Sequence, residues 1–160
     1  MRMLGFFKSP PFRDPMLGEF ARTRGHWRGK LELNGAAVPL VLLGERSEPN
    51  TQALALARTM AINFLAWRPV IEVALFEHYQ PYAEALAAGE LPGPNAPFPK
   101  VSAPSEVWPH VTLVFASVTV LDRALTVELG FTTAWDEEHT LGARFQGGKF
   151  IELCGSVLPP

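Results

Sequence analysis

The sequence has little of what several specialised classes of protein require. Its single cysteine, Cys154, cannot form an internal disulfide, which favours a reducing compartment. The 14 basic and 16 acidic side chains give a formal charge of -2, and no nucleic-acid partner is expected, because phosphate binding requires clustered Lys and Arg. The apolar run 3–7 is too short for a signal peptide, and later apolar runs fall short of membrane-spanning length. We therefore predict a cytoplasmic protein with neither a nucleic-acid nor a membrane partner.

Motifs for cofactors and metals are also missing. The histidines do not have the spacing of a metal site; they are His26, His78, His110 and His139. The glycines near the C-terminal end form neither a phosphate loop nor a dinucleotide-binding fingerprint, so they are interpreted as turn residues. Cys154 is surrounded by no nucleophile motif and is most simply a free thiol. No cofactor and no metal are predicted.

The composition is that of a folded protein. Apolar residues make up 48% of the chain and charged residues 19%, and 160 residues suffice to bury a substantial core. We find no internal repeat and no second zone of composition, which indicates one domain, 1–160. Prolines predict an irregular segment at 1–16 and a proline-rich loop at 90–106.

Alternating apolar and polar residues predict two groups of strands. From Trp27 the apolar side chains of Leu31 and Leu33 share one face, which is the period of a half-buried strand. Asn34-Gly35 is a strong hairpin signal, and the chain returns through a second strand at 37–43. Four more strands form an antiparallel meander at 111–121, 124–133, 140–146 and 149–154. The position of the first hairpin relative to this meander is left open.

The segment between the two groups of strands is helical in composition. A first helix is predicted at 51–67, ended by Arg68-Pro69, and a second runs from Pro69 to about Ala88, with a kink or split at Pro81. The wide apolar arc of the first helix suggests that it is covered on two sides. The fold class is α+β, an antiparallel sheet with two helices packed on one face. The residues expected in the core include Leu31, Leu65, Leu75, Val118 and Leu129.

One stretch combines aromatic, acidic and imidazole groups, Trp135-Asp136-Glu137-Glu138-His139, followed by Gly142. With Phe145, Gly148 and Glu152, and a weaker match at 14–18, Trp27 and Gly29, it resembles a family of small bacterial proteins known only as domains of unknown function. The resemblance implies an α+β bacterial protein and carries no activity, so it assigns no catalytic residue. Some similar proteins resemble immunity proteins in size and layout, which is an analogy of fold alone.

Two interpretations of this motif lead to two hypotheses for function. In the structural one, Asp136 caps a turn, Trp135 fills the edge of the core and His139 bonds to nearby backbone. We then favour a non-catalytic protein-binding or regulatory protein, immunity-like, with Trp108, Trp135 and the proline-rich loop as its recognition surface. In the other, Asp136, Glu138 and His139 act as a general acid–base cluster in a small hydrolase or transferase. A protein partner is expected under the first hypothesis, and the oligomeric state is left open.

Overall fold

The computed structural model describes residues 8–91 and 97–160 of the chain. Within these residues it has eight strands, one long helix and two short 3-10 turns at Pro104–Glu106 and Trp108–His110. The α+β class is therefore confirmed. In chain order the elements are β1 Phe12–Asp14, β2 Gly18–Thr23, β3 His26–Leu33, β4 Ala36–Leu42, α1 Thr51–Ala87, β5 Val111–Leu121, β6 Ala124–Thr133, β7 Leu141–Gln146 and β8 Lys149–Cys154.

Part of each predicted irregular segment lies outside the described residues. Strand β1 lies inside the segment 1–16, and residues 1–7 of that segment lie outside the described residues. The proline-rich loop extends over 92–96, which also lie outside them.

The sheet joins its strands in chain order, from β1 at one edge to β8 at the other. Every neighbouring pair is antiparallel except β4 and β5, which run parallel, with Leu40 opposite Ala116 and Leu42 opposite Val118. The prediction of a wholly antiparallel sheet is therefore wrong at this one pair. The physical reason is the connection, since α1 carries the chain back across the sheet before β5 begins, as parallel neighbours require. The parallel pair also joins the N-terminal hairpin to the C-terminal meander.

Tight turns with positive φ connect the hairpins. Asn34 and Gly35 have φ of 53° and 79° and join β3 to β4, which confirms the predicted hairpin. Gly147 and Gly148 repeat this pattern between β7 and β8, with φ of 56° and 75°. Two consecutive positive φ values give a turn whose twist matches that of the flanking strands.

The helical segment is one continuous helix, α1, so the prediction of two helices is wrong. Pro69 and Pro81 both lie inside it. Each proline removes one N–H from the helix, and the carbonyls that lose a partner belong to Leu65 and Glu77, both exposed residues. Water can satisfy carbonyls on such exposed turns. The buried side of the helix continues past Pro69 as far as Tyr79, and beyond Pro81 the partly buried Tyr82 and Ala83 still pack against the core.

Helix α1 packs one side against the sheet and leaves the other side exposed. Nine of its side chains are buried, spaced mostly three or four residues apart: Ala53, Leu54, Ala57, Met60, Phe64, Trp67, Ile71, Leu75 and Tyr79. Leu31, Leu75, Val118 and Leu129 are buried as predicted, whereas Leu65 is 68% exposed, so its predicted burial and a second covered side of the helix are both wrong. By length and composition alone α1 could cross a membrane, but its inner side forms the core with the sheet.

Candidate functional site

The predicted motif lies in the loop between β6 and β7, against the C-terminal half of α1. Two side chains of the helix meet three of the loop there, and we call these five residues the Asp136 cluster: His78, Tyr82, Trp135, Asp136 and His139. The loop is short and connects β6 directly to β7, so the sheet fixes its position next to the helix.

Asp136 is the centre of the cluster and is 6% exposed. Its Oδ2 accepts a hydrogen bond of 2.9 Å from the Tyr82 hydroxyl, and both carboxylate oxygens lie 3.0 Å from Nδ1 of His139. Its backbone N–H donates to the hydroxyl of Thr133 at 3.1 Å. The His139 side chain is 44% exposed. Its Nδ1 lies on the buried carboxylate, and none of the described residues forms a hydrogen bond with its Nε2.

Trp135 and His78 form the inner part of the cluster. The indole N–H of Trp135 donates to Nδ1 of His78 at 3.0 Å, which places the proton of the neutral imidazole on Nε2. Burial lowers the pKa of His78; the nearby Asp136 carboxylate opposes this effect and His139 adds to it. Burial, followed by the hydrogen bond to Asp136, raises the pKa of the Tyr82 hydroxyl. These shifts keep both helix side chains uncharged near neutral pH.

The structure brings together three of the five site residues named from sequence. Trp135, Asp136 and His139 belong to the cluster, and Trp135 is only 5% exposed, with its ring edge-on to Tyr79 at 5.4 Å. Glu138 is exposed on the same loop.

Trp108 lies apart from the cluster, next to an earlier part of α1. It is half-buried, with its ring 5.9 Å from that of Phe64, and its indole N–H donates to Glu72 at 2.5 Å. The guanidinium of Arg68 lies 4.3 Å from the ring centre, close enough for a cation–π contact. Trp108 therefore fixes the inner side of α1 and is not a freely exposed anchor.

Two members of the cluster, His78 and Tyr82, were not identified as site residues from the sequence. They are separated from Asp136 and Trp135 by more than fifty residues. The available signal was their spacing, since residues four apart on a helix share one face. Across residues 8–91 and 97–160, no group of three His, Cys, Asp or Glu side chains is placed to hold a metal ion.

A second candidate surface is the exposed side of α1. Five apolar residues form a continuous band there, which we call the outer stripe: Ile62, Leu65, Ala66, Pro69 and Val73. Ile62 is 73% exposed and Val73 is 44% exposed. The two charged residues between positions 59 and 76 both turn away from this band, since Arg68 binds Asn34 at 2.9 Å and covers Trp108, and Glu72 accepts from Trp108.

Comparison with known proteins identifies a family without an assigned function. Residues 16–157 match the family described as a domain of unknown function, DUF6985. Neither the curated proteins nor the solved structures give a match. The matched range contains β2 to β8, all of α1 and the Asp136 cluster. The expected resemblance to a domain of unknown function is confirmed, whereas the motif and the bacterial origin stay predictions. The chain belongs to the DUF6985 family.

Proposed function

We propose that this chain is a non-catalytic protein-binding domain and that the outer stripe of α1 is its binding surface. The observation that carries the proposal is the exposure of Ile62, Leu65 and Val73 on one side of one helix. Single exposed apolar residues are ordinary on soluble proteins. A contiguous apolar band is different, because it leaves apolar area in water that a partner would remove, and such bands mark interaction surfaces.

The chemistry of the stripe favours a protein partner over a membrane. Helices that lie on membranes carry Lys and Arg on their polar side, where they meet anionic lipids. The only basic residues of α1 are Arg58 and Arg68. Arg58 stands at one end of the band, where it already pairs with the buried Asp14 carboxylate, and Arg68 is held by Asn34 and Trp108, so no row of basic side chains from α1 flanks the band. We therefore expect a partner that presents apolar side chains of its own.

The binding surface in this proposal differs from the one expected from sequence. Trp135 is part of the core and Trp108 is held between helix and sheet, so neither ring is free to enter a pocket on a partner. We still expect a protein partner, but we propose that it contacts the outer stripe.

Capture experiments with matched variants test this proposal. Leu65→Glu places a charge in the middle of the stripe without disturbing the core, because the side chain is already exposed. Ile151→Glu on β8 is the control, since Ile151 is also exposed but lies on another element. We expect wild type and the control to retain a stoichiometric partner from the lysate of the source cells, and Leu65→Glu to lose it. Equal capture by all three proteins would contradict the proposal.

The Asp136–His139 pair favours one second candidate, a small hydrolase or transferase. An imidazole whose Nδ1 lies 3.0 Å from a buried carboxylate is oriented as in a general base, and the side chain of His139 is 44% exposed. In that case His139→Ala should lower turnover by roughly a hundredfold or more while the melting temperature changes little. A panel of ester, amide and phosphate substrates, assayed with both proteins, separates the candidates. Turnover that His139→Ala leaves unchanged, or no turnover at all, would remove the enzymatic candidate.

A further inference from the structure

We infer that the partner of the outer stripe is a second copy of this chain, with the two α1 helices packed antiparallel about a two-fold axis close to Trp67 and Arg68. The inference rests on the proposed function, because it uses the same surface. Its starting point is the symmetry of the exposed residues along the helix. Ile62 and Val73 lie equally far from the midpoint between Trp67 and Arg68, and so do Arg58 and Glu77, which are both exposed.

The pattern of side chains suits the contact of a helix with itself. The outer stripe and the two charged residues at its ends fall into two rows with a spacing of four, the first Arg58-Ile62-Ala66 and the second Leu65-Pro69-Val73-Glu77. Rows of this kind form ridges that fit the grooves of another helix. Ala66 lies near the centre, where a short side chain lets the axes approach to roughly 8–10 Å. A two-fold axis then buries the same stripe on both copies, as an isologous dimer requires.

The charges at the ends of the stripe favour the antiparallel orientation. Arg58 lies at the N-terminal end of the apolar band and Glu77 lies at its C-terminal end. In an antiparallel pair, Arg58 of one copy is level with Glu77 of the second copy at both ends of the contact. A parallel pair would instead place like charges together, which costs free energy. The Arg58 guanidinium uses Nε and Nη2 for Asp14 and remains partly exposed, and no described residue accepts a hydrogen bond from its Nη1.

The length of the stripe sets the expected strength of the dimer. From Arg58 to Glu77 the helix rises by about 29 Å at 1.5 Å per residue. A single pair of helices in contact over this length lies at the small end of specific protein interfaces. We therefore expect a reversible dimer with a dissociation constant roughly between 1 µM and several hundred µM.

Sedimentation velocity across the micromolar to millimolar range measures the association. We expect wild type and the Ile151→Glu control to dimerise alike, and Leu65→Glu to raise the dissociation constant at least tenfold, because the two-fold axis brings two added carboxylates into one interface. Thermal melts check that each variant is folded. A wild type that stays monomeric throughout would overturn the inference, as would a dimer that Leu65→Glu leaves unchanged.

Disulfide trapping tests the orientation. In a Cys154→Ser background, a chain with Ile62→Cys mixed with a chain with Val73→Cys should form a mixed disulfide, and neither chain should cross-link to itself. Two copies of position 62 in the antiparallel dimer are separated by about 16 Å along the axis, whereas bridged Cα atoms lie within about 7 Å. Self-linking of the Ile62→Cys chain without the mixed product would indicate a parallel pair and overturn the inference.

The two sets of experiments separate this inference from the proposed function. A monomeric wild type that captures a different protein in a Leu65-dependent manner would overturn the second copy as partner and support the binding surface. A dimer insensitive to Leu65→Glu, together with capture that is also insensitive, would overturn both. A Leu65-dependent dimer with the mixed disulfide supports both.

Discussion

The imidazole of His139 lies with Nδ1 3.0 Å from both carboxylate oxygens of Asp136, three residues earlier in the same loop. The same carboxylate accepts a hydrogen bond from Tyr82 on α1, so one buried group ties the loop to the helix. This arrangement fits the structural interpretation, and it also orients the imidazole as the enzymatic candidate requires. Stability measurements test the structural role directly, because they report the free energy of unfolding and do not depend on turnover.

We expect Asp136→Ala to lower the free energy of unfolding by roughly 1–3 kcal/mol, because it leaves the partly buried hydroxyl of Tyr82 without its acceptor. Asp136→Asn should cost less, since the amide oxygen can still accept from Tyr82. His139→Ala should change stability least, because its ring is half in solvent. Urea unfolding of the three variants measures the differences. If Asp136→Asn lowers the free energy of unfolding as much as Asp136→Ala does, the negative charge of Asp136 stabilises the loop, and not its role as an acceptor.

The pH dependence of stability should report on His78. Because burial lowers its pKa below the ordinary value of 6.5, the folded protein binds fewer protons there than the unfolded chain does. The contribution of His78 to stability is then fully present above about pH 6.5 and is lost as the pH falls toward the lowered pKa. His78→Gln removes the titrating group while its amide oxygen can still accept from Trp135.

Denaturant unfolding at several pH values between about 5 and 7.5 makes this comparison. The Gln variant should lose less stability than wild type over that range. Equal slopes for the two proteins would assign the pH dependence of stability to groups other than His78.

Local patterns in the sequence were sufficient to predict most of the strands and turns of the sheet. The segment 111–121 matches β5, and the turn at Asn34-Gly35 matches its hairpin, because alternation and turn chemistry act between neighbouring residues. The helix break at Pro69 was wrong because the cost of a proline depends on whether water reaches the carbonyl it leaves free. That exposure follows from how α1 packs on the sheet, which the local pattern does not contain.

The site could be predicted only as far as it is contiguous in sequence. Trp135, Asp136 and His139 were found because they lie within five positions. His78 and Tyr82 meet them only through the packing of α1 against the β6–β7 loop. Exposure of the outer stripe depends on the same packing, because α1 has apolar residues on several sides and the contact with the sheet decides which of them are covered.

The turn between β3 and β4 gives a test of backbone conformation. Gly35 has φ of 79°, a region that β-branched residues resist, and a Cβ there would meet no atom within 4 Å. Gly35→Val should therefore destabilise through its backbone alone, by roughly 1 kcal/mol or more. Gly155→Val is the matched control, because that glycine also has open space and its φ is not positive. Equal melting temperatures for the two variants would contradict the strained turn.

The last test concerns Gly130, which lies opposite Phe115 on neighbouring strands β5 and β6. A Cβ on Gly130 would lie only 2.0 Å from Cε1 of the Phe115 ring, and that ring is buried and cannot swing into solvent. Gly130→Ala should therefore cost roughly 1–3 kcal/mol through overpacking. In a Phe115→Leu background the same change should cost less by about 1 kcal/mol, because the shorter side chain leaves room for the methyl group. Denaturant unfolding of wild type, the two single variants and the double variant completes the cycle. Strictly additive changes in the free energy of unfolding would show that the Phe115 ring is not the reason for a glycine at position 130.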